Sequence, residues 1–334
     1  MGNKLMDLQF FRLNNYMPKP LIIQIEITQK CPLNCKQCYK SEQNKEMSFE
    51  MLSHYLYEIK ELKIKQIVLN GGEPFVYPYI IDTLKLIENL NLKATIFTSG
   101  CGITNKIINQ LKNSKNINIG LSFNGSTSVI HNFSRDRFDI TYNVANIFKK
   151  NEINYFINWV ARHDNVRDLP NLIELSKKIS ASFINVVANK LTGFGELDSE
   201  LEIDDYIYLR EIILTNREYC SIQNCYNTLQ VFCYNSIKSQ LVGCAAGKSF
   251  CCISVDGCFM PCTHINVKEK FSSILDYWIN SIELSKLRKS YKRRGGLCEM
   301  CQRSEVCNPC RAMDTDLNKN YDLGLKNCIN FKGK

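Results

Sequence analysis

Apolar, largely β-branched runs recur at 21–27, 66–70, 93–98, 117–123, 155–161 and 183–188. Each is short enough for a strand, and the segments between them carry apolar positions at helical spacing. One such segment, 48–62, opens on Ser48, a favoured N-cap whose hydroxyl satisfies a free amide of the first turn. Another, 168–179, opens on Asp168 as cap, with Pro170 in the first turn, where a missing amide hydrogen costs nothing. Strands alternating with helices predict a parallel sheet, because each parallel return needs a long crossover. Six units are too few to close an eight-stranded barrel, so the expected fold is α/β, a partial (βα)6 barrel.

The rhythm stops near residue 190. Gly193 and Gly195 mark a loop, the acidic stretch 196–205 reads as a solvated face and helix start, and helical patterns occupy 203–217 and 224–240. From Cys244 the chain turns to cysteine, glycine and turn residues, with too few apolar groups to form a core without a metal staple. The expected organisation is an N-terminal segment (1–20), the partial barrel (21–200), bridging helices (201–243) and a small C-terminal cysteine-rich domain (244–334).

Composition adds a compartment. The chain of 334 residues is 45% hydrophobic and 22% charged, an ordinary globular balance. Lys4, Asp7, Arg12 and Lys19 interrupt any apolar stretch of a signal peptide, and the longest uncharged run, 219–237, holds too many amides and hydroxyls for a membrane span. A cytoplasmic location with no membrane partner is expected. Thiols stay reduced there, so the 17 cysteines read as metal ligands before disulfides.

Cys31, Cys35 and Cys38, followed by Tyr39, lie just past the first strand at x3 and x2 spacing. Three thiolates on one loop can wrap a cubane and leave its fourth iron open, whereas structural zinc prefers four ligands in paired sets. The carboxyl end of a barrel strand is also where catalytic groups gather. This motif resembles that of the radical S-adenosylmethionine (SAM) enzymes. The resemblance extends to Gly71-Gly72-Glu73-Pro74 after the second strand, to the stretch 121–125 with Ser122, to Thr98-Ser99-Gly100, and to His131 through Arg135. It implies SAM contacts at Gly71, Gly72, Glu73, Ser99 and Ser122, and an Arg135 pair with the SAM carboxylate. Gln37 and Leu191 are weaker carry-overs.

The second cysteine region has Cys244, twelve residues, Gly257, four residues and Cys262, then Cys298, Cys301, Cys307, Cys310 and Cys328. It resembles the SPASM extension of radical SAM peptide-modifying enzymes, departing from it by x2 rather than x3 before Cys310. The resemblance implies three 4Fe–4S clusters, the last two in this C-terminal iron–sulfur domain. One auxiliary cluster would take Cys244, a cysteine before Gly257, Cys262 and Cys310. The other would take Cys298, Cys301, Cys307 and Cys328. Cys251 and Cys252 compete for one place. A two-residue Asp256-Gly257 hairpin turn would pair Val255 with Cys258 and set Cys251 beside Cys262, while a bulge would switch the choice to Cys252.

The function so implied is hydrogen abstraction by a 5′-deoxyadenosyl radical, installing a thioether or carbon–carbon crosslink in a precursor peptide. Sulfatase-maturase-like oxidation is a second reading, lowered because Thr263 stands where those relatives carry an acid. Peptide epimerisation with Cys101 as hydrogen donor is a third, and a zinc-binding module is the non-enzyme alternative. The expected partners are a peptide substrate, an electron donor such as flavodoxin or ferredoxin, and a separate leader-binding protein, since only about twenty residues precede the first strand. The formal charge of +9 suggests nucleic acid only at first sight. Three clusters on eleven thiolates would bring it to about +4, and no dense basic run with interleaved aromatics exists, so no nucleic-acid partner is expected.

Overall fold

All six expected strands form, each within one residue of its expected bounds: β1 (Ile22–Thr28), β2 (Gln66–Gly71), β3 (Ala94–Thr98), β4 (Ile117–Ser122), β5 (Tyr155–Ala161) and β6 (Ile184–Ala188). The computed structural model describes residues 10, 14–40, 44–190, 199–222, 243–265, 267–290, 301 and 310–312. Consecutive strands pair in parallel from β1 to β6. Helices return the chain between them: α1 (Phe49–Glu61), α2 (Ile80–Asn89), α3 (Asn105–Lys112), α4 (Ser128–Asn132), α5 (Phe138–Lys150) and α6 (Leu169–Lys178). None of the described helices is long and apolar enough to cross a membrane.

Local chemistry sets the helix ends. Ser48 accepts a hydrogen bond from Met51 N at 3.1 Å, as its N-cap position requires. Asp168 sits at the N-cap of α6 but makes no such bond. Its carboxylate instead accepts from Ser126 N (2.6 Å) and Ser126 Oγ (2.7 Å), tying the loop after β4 to the start of α6. The acidic stretch does open a helix, α7 (Ile203–Thr215), through a capping box of Glu202 and Asp205. The helix expected at 224–240 lies outside the described residues.

Strand alternation divides the sheet into two faces. Ile23, Ile25 and Ile27 on β1, with Leu69, Ile96, Leu121 and Ile157 on its neighbours, point to the helices and are almost fully buried. Each stabilises the fold by up to about 1.5–3 kcal/mol, an upper bound because unfolded chains already bury part of this surface. The intervening residues face the barrel interior, where Gln24, Asn70, Thr95, Asn118 and Asn158 line a cavity.

The sheet continues beyond six strands. β7 (Cys220–Ile222) adds in parallel beside β6. At the opposite edge β8 (Phe250–Ile253) adds in parallel beside β1, and β9 (Phe259–Met260) returns antiparallel to it. The order is β7-β6-β5-β4-β3-β2-β1-β8-β9. The rhythm therefore does not end at residue 190. β7 and β8 escape notice in the sequence because they are only three and four residues long. α8 (Ile274–Asn280) and α9 (Ile282–Ser290) then pack Ile274, Tyr277, Trp278 and Leu284 into the same core.

Candidate functional site

The three cysteines after β1 occupy a loop pinned from outside by the segment that follows α4. Asp136 N donates to Cys35 Sγ at 3.4 Å, and the Asp136 carboxylate accepts from Asn34 N at 2.6 Å. Gln37 N donates to the Ser134 carbonyl at 3.3 Å, and Cys38 N to the Cys35 carbonyl at 3.0 Å. Gln37 lines the cavity, and its side chain also braces the loop. Its Oε1 accepts from Asn124 Nδ2 (2.6 Å) and from Nη1 of the fully buried Arg162 (2.8 Å). This brace was not legible in the sequence, because its members stand on three separate loops.

Cys31, Cys35 and Cys38 line a cavity of about 720 Å³ running down the barrel interior. Gly71, Gly72, Glu73, Ser99, Ser122 and Arg135 line it too, so the residues of the first motif and of the strand-end motifs converge there. The glycines are needed for the fold itself. A Cβ on Gly71 would stand 2.2 Å from the Thr28 carbonyl oxygen, and one on Gly72 2.2 Å from that of Lys30. Only bare backbone can pass that close to the end of β1, where Gly72 N and Glu73 N donate to the same two carbonyls.

Glu73, expected as a cofactor contact, lines the cavity with its carboxylate engaged by the protein itself. Its carboxylate accepts from Phe75 N (3.1 Å), Thr98 Oγ1 (2.6 Å), Ser99 N (2.8 Å) and Ser99 Oγ (2.5 Å). Four donors fill its acceptor sites, so the side chain clamps the end of β3 to the glycine turn. The same bonds occupy the Ser99 hydroxyl. Burial pushes the Glu73 carboxyl up from its ordinary value, and the four donors act against that shift.

Arg135 is in the opposite condition. Its Nε is buried without a hydrogen-bond partner, while the residue lines the cavity. A buried guanidinium donor left open is costly unless an anion meets it. Burial also pushes the Cys31 thiol up to about 12 and the Cys38 thiol up from its ordinary value. Such thiols stay neutral until a cation displaces their protons. Among the described residues no three His, Cys, Asp or Glu converge tightly enough for a single metal ion. Three thiols on one loop beside the cavity could hold a polynuclear cluster, and an anion-seeking Arg135 beside them suits a carboxylate-bearing ligand.

Residues 25–176 match the profile of the Radical SAM superfamily. They form a radical SAM domain. Over 94% of its length the chain is 23% identical to the AdoMet-dependent heme synthase of Methanosarcina barkeri, covering 98% of that protein. In structure it resembles Streptococcus suis SuiB bound to its precursor peptide SuiA, with a TM-score of 0.81, 21% identity, and 97% and 79% of the two chains covered. It also resembles anSMEcpe with bound AdoMet and a Cp18Cys peptide, with a TM-score of 0.72, 19% identity and 93% of each chain covered. At these identities the structural likenesses establish the fold.

The second cysteine region adjoins the radical SAM domain directly. Cys244, Cys262 and Cys310 line the same cavity. Tyr39 lies between the two groups, feeling Cys38 on one side and Cys252 and Cys262 on the other. Its hydroxyl accepts from Asn70 Nδ2 at 2.8 Å, and its ring packs on His264 with centroids 4.9 Å apart. Burial, with Lys190 nearby, holds His264 well below its usual range, so this imidazole is neutral. Lys190, also in the lining, and His264 drew no functional reading from sequence, since neither belongs to a motif.

The hairpin register corrects the choice of Cys251. Cys252 pairs with Met260 and Ile253 with Phe259, so Ser254 faces Cys258 across a three-residue loop. Gly257, at φ +75°, supplies the left-handed residue that such a loop requires. This register is one residue off the two-residue turn expected above and sets Cys252 on the face shared with Cys262. Pairing with β1 agrees: Cys252 lies beside cavity-lining Gln24, and Cys251 beside helix-facing Ile23. Cys251 is thus a core residue, fully buried in the apolar layer outside the barrel. Cys101 is corrected too. It is buried, lies within reach of Ser99 Oγ, and is not among the cavity-lining residues, so the donor role expected of it has no support from the cavity. Cys301 is partly buried and away from the cavity. Leu191, Cys298, Cys307 and Cys328 lie outside the described residues.

Proposed function

We propose that the chain is a SAM-cleaving peptide maturase of the cytoplasm that abstracts a hydrogen atom from its substrate and installs a thioether or carbon–carbon crosslink. The observation carrying this reading is one cavity holding the Cys31, Cys35 and Cys38 thiols, an unpaired Arg135 donor and the inward cysteines of the second region. Cys31, Cys35 and Cys38 would hold three irons of a 4Fe–4S cluster and leave one open. When bound there, that cluster supplies the electron that cleaves SAM to methionine and the 5′-deoxyadenosyl radical. Arg135 Nε would pair with the SAM carboxylate, and the Gly71-Gly72 backbone would bound its amino end. Glu73 keeps that backbone in place, and Gln37 with Arg162 keeps the cysteine loop in place.

Cys244, Cys252, Cys262 and Cys310 would hold a first auxiliary cluster, and Cys298, Cys301, Cys307 and Cys328 a second. An acidic one-electron donor such as flavodoxin or ferredoxin, and a separate leader-binding protein, would be the further partners.

The heme synthase relative raises a tetrapyrrole as an alternative substrate. The lining speaks against it. Lys40, Glu73, Arg135 and Lys190 are the charged side chains among its described residues; Glu73 is saturated, and Lys40 is ion-paired with Glu26. Below them come amides, hydroxyls and phenyl rings, suited to a peptide main chain and poorly suited to several carboxylates. Anaerobic reconstitution tests the reading. About 12 iron and as much sulfide per chain are expected, with 5′-deoxyadenosine formed from SAM and dithionite. Stoichiometric zinc without iron, or intact SAM, would overturn it.

A further inference from the structure

Three phenylalanine rings sit at one level of the barrel interior. Phe97 on β3 pairs with Gly120 on β4, and Gly120 pairs with Phe156 on β5. Ile157 pairs with Ile184, so Phe156 and Phe183 precede them side by side. The Phe97 and Phe156 rings meet edge to face with centroids 6.0 Å apart, and Phe156 stacks on Phe183 at 4.8 Å with 4° between planes. Gly120 is what permits this. An added Cβ would come within 2.6 Å of Phe97 Cδ1 and 2.9 Å of Phe156 Cζ. The rings lean over the bare backbone of β4, forming a continuous aromatic shelf. All three line the cavity and are partly exposed to it.

The residues flanking the three rings are uncharged, and the charges at that level of the sheet, Glu26 beside Asn70 and the Lys40 that reaches it, are paired with each other. Asn185 Nδ2 donates to Asn158 Oδ1 at 2.7 Å on the next level toward the cysteines. On the other side Asn70 follows Leu69, the partner of Ile96, and so stands at the level of Phe97. Asn70 is 9% exposed, and its Oδ1 has no hydrogen-bond partner, although its amide nitrogen is held by Tyr39. The four charged side chains of the lining all stand on segments beyond the carboxyl ends of strands. At shelf level a ligand therefore meets ring faces, with the buried Asn70 Oδ1 left without a partner behind them.

We propose that this shelf, seated by Gly120, selects the residue of the peptide to be modified, or its immediate neighbour, for an uncharged aromatic side chain. The proposal rests on the peptide reading above and goes further by naming the side-chain class and the residues that choose it. The ring of the ligand would pack on Phe156 in offset or edge geometry while its main-chain N–H donates to Asn70 Oδ1. A carboxylate or ammonium at the same place would lose its hydration and find only Lys40 and Glu26, which already neutralise each other, as counter-charges.

The test uses reconstituted, SAM-loaded full-length protein without reductant and five blocked peptides, acetyl-Gly-Gly-X-Gly-Gly-amide with X as Phe, Tyr, Leu, Asp or Lys. Binding is read by saturation-transfer NMR titration. The Phe and Tyr peptides are expected to bind at least about tenfold more tightly than the Asp and Lys peptides, with Leu between. Phe156→Ala should erase the preference for a ring. Phe156→Leu, which keeps apolar volume, should bring Phe and Leu peptides to parity, and it carries the test if the alanine variant fails to fold by circular dichroism. Equal binding of charged and aromatic peptides, a ring preference that survives Phe156→Leu, or no binding by any of the five would overturn the shelf. The peptide reading itself stands or falls separately, on whether peptides rather than a porphyrin stimulate 5′-deoxyadenosine formation by the reduced wild-type protein.

Discussion

Replacing Cys252 and Cys251 by serine, one at a time, separates two adjacent residues that the sheet sends to opposite faces. Cys252 shares its face with Cys262 and lies beside cavity-lining Gln24, so its thiolate would be one of four around the first auxiliary cluster. Removing one of four thiolates should cost that cluster, about four of about twelve iron per chain. The fold should survive, since Cys252, though buried, lies outside the apolar core cluster and on the sheet face that carries Gln24. Cys251 has no exposed surface and sits in the apolar layer under α8 and α9. Serine there buries a hydroxyl among hydrocarbon, a loss of about 1–3 kcal/mol and a few degrees of melting temperature. Iron should be unchanged. The assays are iron and acid-labile sulfide per chain, EPR of the reduced protein, and thermal denaturation of both variants beside wild type. Iron lost from Cys251→Ser and kept in Cys252→Ser would refute the three-residue hairpin. Full iron in both would remove Cys252 from the ligand set.

Arg135→Ala removes the donor left open in the cavity, so SAM affinity should fall about 10- to 100-fold in equilibrium binding, the worth of one charge-assisted hydrogen bond. Glu73→Gln leaves the Ser99 and Thr98 donors without a full set of acceptors and should destabilise the protein by about 2–4 kcal/mol, read by urea denaturation before any cofactor is added. Gly72→Ala forces a Cβ into the Lys30 and Gln29 carbonyls, so it should abolish soluble expression or iron loading at Cys31, Cys35 and Cys38. Cys101→Ala should change 5′-deoxyadenosine formation by less than about twofold, because the thiol lies outside the cavity; loss of turnover would restore it as a donor.

The six central strands of the sheet are legible in the sequence. Strand-length apolar runs at regular intervals carry a period that survives single-sequence reading, and Ser48 announced its helix. The same holds for the convergence of Cys31, Cys35, Cys38, Gly71 and Gly72, since each stands at or beyond the carboxyl end of a strand and all strand ends of a parallel sheet face one way; Arg135 joins them from beyond α4.

Tertiary structure decided what depends on partners far away in the chain. β7 and β8 are too short to show a period, and they exist as strands because β6 and β1 offer free edges. Glu73 belongs to a conspicuous motif, yet its role follows from four donors on β3 and the turn beside it, which no local pattern reveals. The choice between Cys251 and Cys252 turned on one residue of loop length, and a one-residue slip exchanges the two faces of a strand. The aromatic shelf is invisible in sequence for the same reason: Phe97, Gly120, Phe156 and Phe183 lie on four strands, and only the register brings them to one level. Sequence determines which residues alternate and where the chain turns; register, set by packing across the whole sheet, determines which of them meet.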